Sequence, residues 1–95
     1  MEFRFAGEIF EWRGPAPHHF IALPDGPASM IRDASSILTY GWGVIPVRAR
    51  IGTTDFSTSL FPKDGGYLLP IKLAVRRQEG IAIGDVVDVL LRPGA

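Results

Sequence analysis

Residues 60–72 read LFPKDGGYLLPIK, and this stretch contains the clearest structural signal in the chain. Asp64 and Gly65 lie between two apolar segments, and an Asp-Gly pair favours a β-hairpin because both residue types tolerate positive φ. A phosphate-binding loop would need Gly-Lys-Ser/Thr at the start of a helix, whereas the segment after Gly66 is typical of a strand. The stretch therefore predicts a hairpin turn, with the side chains of Lys63 and Asp64 at its tip.

Short apolar segments separated by Gly and Pro continue on both sides of the hairpin, which is typical of an all-β protein. Residues 44–51 alternate between apolar and polar side chains and lead through a turn at residues 52–55 into residues 56–61, so the centre of the chain predicts a three-strand meander. The remaining predicted strands are residues 2–13, which bend near Gly7, residues 18–23 and residues 86–91.

Two helices complete the prediction. The longer one begins near Pro27 and stops at Gly41, and its inward face is predicted to carry Met30, Ile31, Ala34, Ile37 and Leu38. The shorter one covers residues 73–79 and stops at Gly80. Because an open six-stranded sheet would expose two edges, we expect a mainly β single domain over residues 1–95: a small closed or partly closed six-stranded β-barrel with one longer and one short α-helix.

Composition limits the functional classes. The chain has 95 residues and no cysteine, which excludes disulfides, thiolate metal sites and cysteine nucleophiles. Ten basic and ten acidic residues cancel, which disfavours nucleic acid as a partner. The apolar segments are too short to cross a bilayer, and MEFRFAGEIFEW lacks the pattern of a signal peptide, so we expect no membrane span and a cytoplasmic location.

Two histidines and a row of hydroxyl groups are the candidates for catalytic or metal chemistry. His18 and His19 are adjacent on a predicted strand and therefore point to opposite faces, and no third His or Cys completes a site, so no metal and no cofactor are expected. Thr58 and Ser59 supply hydroxyls, but no nucleophile-elbow motif accompanies them. An enzyme remains the alternative hypothesis, but the absence of a catalytic motif favours a non-enzymatic protein.

The distribution of charge points to an anion site. From Arg48 to Arg77 there are six basic residues and two acidic ones. Arg48 and Arg50 share one strand face about 6.5–7 Å apart, a spacing that can straddle a carboxylate or a phosphate. A merely solvated strand face is the alternative for these arginines, and a cap on the barrel core is the alternative for Trp42. The candidate ligand-binding residues are Trp42, Arg48, Arg50, Thr58, Ser59, Lys63, Lys72 and Arg76.

Three stretches resemble a known family. GWGVIPVRARIG (41–52), TSLFPKDGGYLLPIK (58–72) and VRRQEGIAIGDVVDVLL (75–91) are similar to the bacterial domain-of-unknown-function family 1905. The resemblance implies a compact β-barrel, found alone or fused to other small domains, one of them associated by name with bacteriocin protection. It implies no established activity and no catalytic residues. Residues 53–55 fill a turn where the family leads us to expect a glycine-containing connection.

The Gly84-Asp85 step into the last strand also resembles the end of other small barrels, some of which bind DNA as dimers, but this is an analogy of fold alone. Three hypotheses follow from the sequence. The first is a non-enzymatic binding module whose basic face receives an anionic small molecule or an acidic protein segment. The second is a small enzyme that uses Thr58 and Ser59 with a basic neighbour and either histidine. The third is a structural domain that forms a homodimer through a strand edge.

Overall fold

In the part of the chain that the structure describes, the fold is a curled antiparallel sheet with three short helices. The computed structural model describes residues 1–13, 18–38 and 44–94. The strands are β1 (Phe3–Glu8), β2 (Phe10–Trp12), β3 (His18–Ala22), β4 (Ile45–Ile51), β5 (Thr54–Lys63), β6 (Gly66–Pro70) and β7 (Val86–Pro93). The helices are α1 (Asp25–Asp33), α2 (Ser35–Leu38) and α3 (Leu73–Glu79).

The sheet order is β1-β7-β4-β5-β6-β3-β2, and every pairing is antiparallel. β1 and β2 lie at opposite ends of this order, although only Ile9 separates them in the chain. The Ile9 amide donates to the Asp85 carbonyl at 2.9 Å, and the Ile9 carbonyl accepts from the Gly84 amide at 2.8 Å. One kinked segment thus supplies both ends of the sheet, which confirms the predicted partly closed barrel, with the long first strand divided in two at Ile9.

Gly7 lies next to this kink, but the strand does not bend at Gly7 as predicted. It pairs with Val87 within regular strand β1. A Cβ at Gly7 would overlap with Cγ2 of Ile21 on β3, a side chain that is fully buried. The absence of a side chain at this position therefore lets β1 and β3 approach each other across the barrel interior.

The barrel is filled by one apolar core. Alternate residues of β4 point inward, so that Arg48 and Arg50 are exposed as predicted. Residues from six strands and all three helices contribute to the core or pack against it. Its fully buried side chains are Ile9, Ile21, Ile31, Ile45, Leu60, Leu69 and Leu91.

Both hairpins of the meander have two-residue turns. At the β5–β6 turn Asp64 has φ +52° and Gly65 has φ +80°, while Lys63 pairs with Gly66, so the predicted hairpin is confirmed. At the β4–β5 turn Ile51 pairs with Thr54, which leaves residues 52 and 53 as the turn. Gly52 has φ +59°, so this connection does contain a glycine.

The predicted longer helix is divided in two, and its predicted stop, Gly41, lies outside the described residues. The helical segment breaks at Ala34 into α1 and α2. Ile31 is buried, but Met30 and Ile37 are 56% and 85% exposed, contrary to the predicted inward face. α3 has the predicted bounds and ends at Gly80 with φ +64°. No helix among the described residues is long and apolar enough to span a bilayer.

Candidate functional site

Helix α3 is held against the sheet at both of its ends. Near its end, the Glu79 carboxylate accepts hydrogen bonds from the hydroxyls of Thr53, at 3.4 Å, and Thr54. At its start, Lys72 Nζ donates to the Ser57 carbonyl on β5 at 3.0 Å. Val75, in the middle of the helix, is buried in the core. These contacts fix the position of the side chains that α3 presents to β3.

A cleft of about 290 Å³ lies between the start of α3 and the start of β3. We call it the α3 cleft, and its lining residues are His18, His19, Pro70, Ile71, Lys72, Leu73 and Arg76. Pairing of β3 with the segment after β6 brings the two sides together, because the Ile71 amide donates to the His19 carbonyl at 2.8 Å. The cleft is therefore built from segments that are far apart in the sequence.

Arg76 and His19 contact each other in this cleft. Arg76 Nη1 is 3.4 Å from Nε2 of His19, and Arg76 Nε donates to the Ile71 carbonyl at 3.2 Å. A guanidinium can only donate, so a hydrogen bond between these two groups requires Nε2 of His19 to accept. The arrangement orients the guanidinium and leaves part of its donor edge available.

The electrostatics of the α3 cleft are one-sided. Lys72 and Arg76 are cationic, both histidines can donate from a ring nitrogen, and none of the described residues that line the cleft is acidic. Such a site favours an anion, and a guanidinium beside an ammonium can bind two oxygens of one phosphate or carboxylate. The volume is at the lower limit of about 300–1,000 Å³ found for small-molecule pockets, so a small anionic group fits better than a large ligand.

Arg48 and Arg50 lie elsewhere, on the outer surface of the sheet. Neighbouring strands add two more arginines, and we call this set the arginine face: Arg4, Arg48, Arg50 and Arg92. Glu2 forms ion pairs with Arg92 at 2.9 Å and Arg4 at 3.8 Å. Asp55 lies 3.9 Å from Arg50. Three of the four guanidinium groups are thus paired with a carboxylate.

Of the remaining predicted site residues, Thr58 lines a separate depression of about 290 Å³ together with Arg48 of the arginine face. Thr58 shares the inward side of β5 with Leu60, whereas Ser59 points the other way, and neither lines the α3 cleft. Lys63 Nζ lies 4.6 Å from the centroid of the Trp12 ring. Trp42 lies outside the described residues.

The comparison with known families agrees with the fold. A family model described as Domain of unknown function (DUF1905) matches residues 5–91. The chain belongs to the DUF1905 family. The matched region contains the whole α3 cleft, and the resemblance drawn from the sequence is confirmed. The comparison with curated proteins gives no match.

This DUF1905 domain has a second, larger depression of about 640 Å³ between α1 and the β5–β6 turn. Arg32 donates to the Gly65 carbonyl there, and Lys63 pairs with Asp64 at 3.7 Å. Asp25 also lines this depression, so its cations are matched by acids. The charged side chains that line this depression therefore sum to zero. Over all described residues, there is no group of three or more metal-ligating side chains.

The sequence prediction included Lys72 and Arg76 but did not place the histidines beside them in the DUF1905 domain. The spacing of these two cations, four residues apart at the start of α3, was the available signal. Nothing local indicates that His19 lies across from them, because that contact joins residues 57 positions apart.

Proposed function

We propose that this DUF1905 domain is a non-enzymatic binding module whose α3 cleft receives a small anionic group, a phosphate or a carboxylate. One observation carries the proposal: Lys72, Arg76 and His19 converge on a single cleft whose lining residues include no acid. Elsewhere in the described residues, clustered cations lie close to carboxylates, as on the arginine face.

Two physical effects support binding at this position. Arg76 is partly buried and already oriented by its contacts with His19 and the Ile71 carbonyl, so less side-chain entropy is lost when it binds a ligand. Hydrogen bonds between charged groups and an anion contribute about 1.5–3 kcal/mol each, so a single phosphate held by two such groups should bind with a Kd of about 1 mM. A larger ligand would need contacts beyond the cleft.

The test is a titration of the 15N-labelled protein with inorganic phosphate at low ionic strength. We expect saturable shifts of the amides of His19, Lys72 and Arg76, which weaken as salt is added. Arg76→Gln should reduce the affinity about tenfold or more, since it removes one charged hydrogen-bond donor. Arg77→Gln is the matched control, because Arg77 is the adjacent cation on α3, is exposed and does not line the cleft.

Two results would contradict the proposal. Amide shifts confined to the arginine face would show that phosphate binds to that surface and not in the α3 cleft. Equal loss of affinity in Arg76→Gln and Arg77→Gln would show that phosphate binding depends only on the net charge of the protein. An acidic peptide that competes with phosphate for the same amides would identify a protein segment, instead of a small molecule, as the source of the anion.

The enzyme hypothesis has less support from the geometry. Thr58 and Ser59 lie on opposite sides of β5, whereas both histidines line the α3 cleft, so the hydroxyls and the candidate general bases are in different places. A general base must reach the group it deprotonates directly or through one water. The homodimer hypothesis stays a prediction, and sedimentation at several protein concentrations tests it.

A further inference from the structure

A second group of large side chains lies on the outside of the barrel, on β2, β3 and the end of β5. We call it the aromatic face, and it consists of Phe10, Trp12, His18, Phe20 and Phe61. Phe20 is at its centre, and the centroids of the other four rings lie 6.1–6.4 Å from the Phe20 centroid. Phe20 is only 3% exposed although it is not part of the main core, so the surrounding rings cover it.

The rings at the border of the aromatic face remain accessible. Trp12 is 47% exposed and Phe61 is 46% exposed. They lie on either side of the buried Phe20 ring. A face of this kind can bury a further planar group, since aromatic rings pack edge-to-face or offset and gain more than area burial alone provides.

The aromatic face and the α3 cleft are continuous. His18 belongs to both, because its ring packs against Phe20 at 6.1 Å and it also lines the cleft. Pro70 lines the cleft and is the register partner of Phe20. Phe61 pairs with Leu68, which makes it a diagonal neighbour of Pro70 across β5 and β6. One side of the cationic cleft is therefore an apolar wall that leads directly to the exposed Phe61 ring.

The other side of the cleft is also partly apolar, since Leu73 lines it and is 47% exposed. Lys72 and Arg76 thus share the cleft with apolar residues of both the strands and the helix, and among the lining residues only His18 also belongs to the aromatic face. A ligand that is only an inorganic anion would leave these apolar residues in contact with water. A ligand with a ring attached to its anionic group would cover the side of the cleft at His18.

We infer that the ligand is an organic anion carrying an aromatic ring, with its anionic group in the α3 cleft and its ring against His18, Pro70 and Phe61. The inference rests on the proposed function, which it deepens by naming the class of ligand. The cleft supplies the charge recognition, and the aromatic face supplies the contact that an aliphatic or inorganic anion does not use. Lys63, which lies over Trp12, adds a cation at the far border of the same face.

The experiment compares three phosphate monoesters that differ in the attached group: methyl phosphate, cyclohexyl phosphate and phenyl phosphate. Affinities are measured by NMR titration of the whole protein. Phenyl phosphate should bind about tenfold more tightly than methyl phosphate, and cyclohexyl phosphate should fall between them, because the ring adds both buried area and ring packing. The amides of Phe20 and Phe61, which do not line the cleft, should shift with phenyl phosphate and not with methyl phosphate.

Variants separate the two parts of the site. Phe61→Ala should remove most of the preference for phenyl phosphate and leave methyl phosphate affinity within about twofold, since Phe61 does not line the cleft. Ile83→Ala is the matched control, because Ile83 is 52% exposed, similar to Phe61, and lies before β7, outside the aromatic face. Arg76→Gln should weaken all three monoesters. The half-exposed position of Phe61 makes its replacement compatible with folding, and the dispersion of the amide spectrum checks this.

The outcomes distinguish the inference from the proposed function. Equal affinity for methyl and phenyl phosphate, with both lost in Arg76→Gln, would overturn the inference and leave the anion site in place. A preference for phenyl phosphate that survives Phe61→Ala would also overturn it. If sedimentation showed a dimer that Phe61→Ala converts to monomer, a second copy of the chain would occupy the aromatic face and the inference would be wrong. No binding of any monoester would overturn both.

Discussion

The arginine face and the α3 cleft are both cationic, but they differ in what surrounds the cations. On the arginine face, the strand register brings Glu2 and Asp55 next to three of the four guanidinium groups. In the α3 cleft, the cations have a histidine and backbone carbonyls as neighbours, and no acid lines the cleft among the residues that the structure describes. A surplus of basic residues along a sequence therefore does not locate an anion site, because pairing across strands decides which charges remain available.

The two regions are also joined structurally. β1 carries Arg4 of the arginine face, and β3 carries His19 of the cleft. The strands meet where Gly7 faces Ile21. A change at this contact should therefore affect both regions together, whereas changes within one region should leave the other intact.

The largest effect is expected for Gly7→Ala. The added Cβ would overlap with the buried Ile21 side chain, and overpacking of this kind costs about 1–3 kcal/mol. Urea unfolding measures the loss of stability. Gly26→Ala in the first turn of α1 is the control, since a Cβ there meets no atom of another element within 4 Å and the substitution should change stability by less than about 0.5 kcal/mol. Equal stability of the two variants would show that the close approach of β1 and β3 does not contribute to the stability of the fold.

A smaller effect is expected for Glu79→Ala. The variant loses the hydrogen bonds from the Thr53 and Thr54 hydroxyls, which should cost about 1–2 kcal/mol. It should also weaken phosphate binding in the α3 cleft, because α3 is less firmly positioned, without changing shifts on the arginine face. Glu8→Ala, at an exposed site in β1, should alter stability by less than about 0.5 kcal/mol. Unchanged affinity in Glu79→Ala would mean that the cleft forms independently of this contact.

The smallest effect on stability is expected for the double variant Glu2→Gln and Asp55→Asn. Exposed ion pairs contribute at most about 1 kcal/mol and often less, so unfolding should hardly change. Arg4, Arg50 and Arg92, however, lose these carboxylate partners, and phosphate should now shift the amides near them. Asp33→Asn, which removes an exposed acid from α1, should produce no such shifts. If phosphate shifts no amides of the arginine face in the double variant, as expected for Asp33→Asn, pairing with acids does not explain why the two regions differ in anion binding.

Local chemistry explains what could be predicted from the sequence. The Asp64-Gly65 turn and the outward arginines of β4 follow from turn preferences and from the two-residue period of strands. The break at Ala34 was not predictable, since the apolar spacing continues through it. The division of the cations between two surfaces was not predictable either, because it depends on how β3, β6 and α3 are arranged in the barrel.

The kink at Ile9 has a consequence for how the barrel folds. In the sheet order, β1 has β7 as its neighbour, and Phe3 pairs with Leu91, so this pairing closes a loop that spans almost the whole chain. Long-range closure is entropically costly and slows folding, whereas the β4–β5–β6 meander needs only local contacts. We therefore expect the meander to form in the transition state and β1 to dock afterwards, with φ-values near zero for substitutions in β1. Until β1 docks, the edge of β7 has unpaired backbone groups that can pair with strands of other chains. The rate of β1 docking therefore sets how long the folding protein is prone to aggregate.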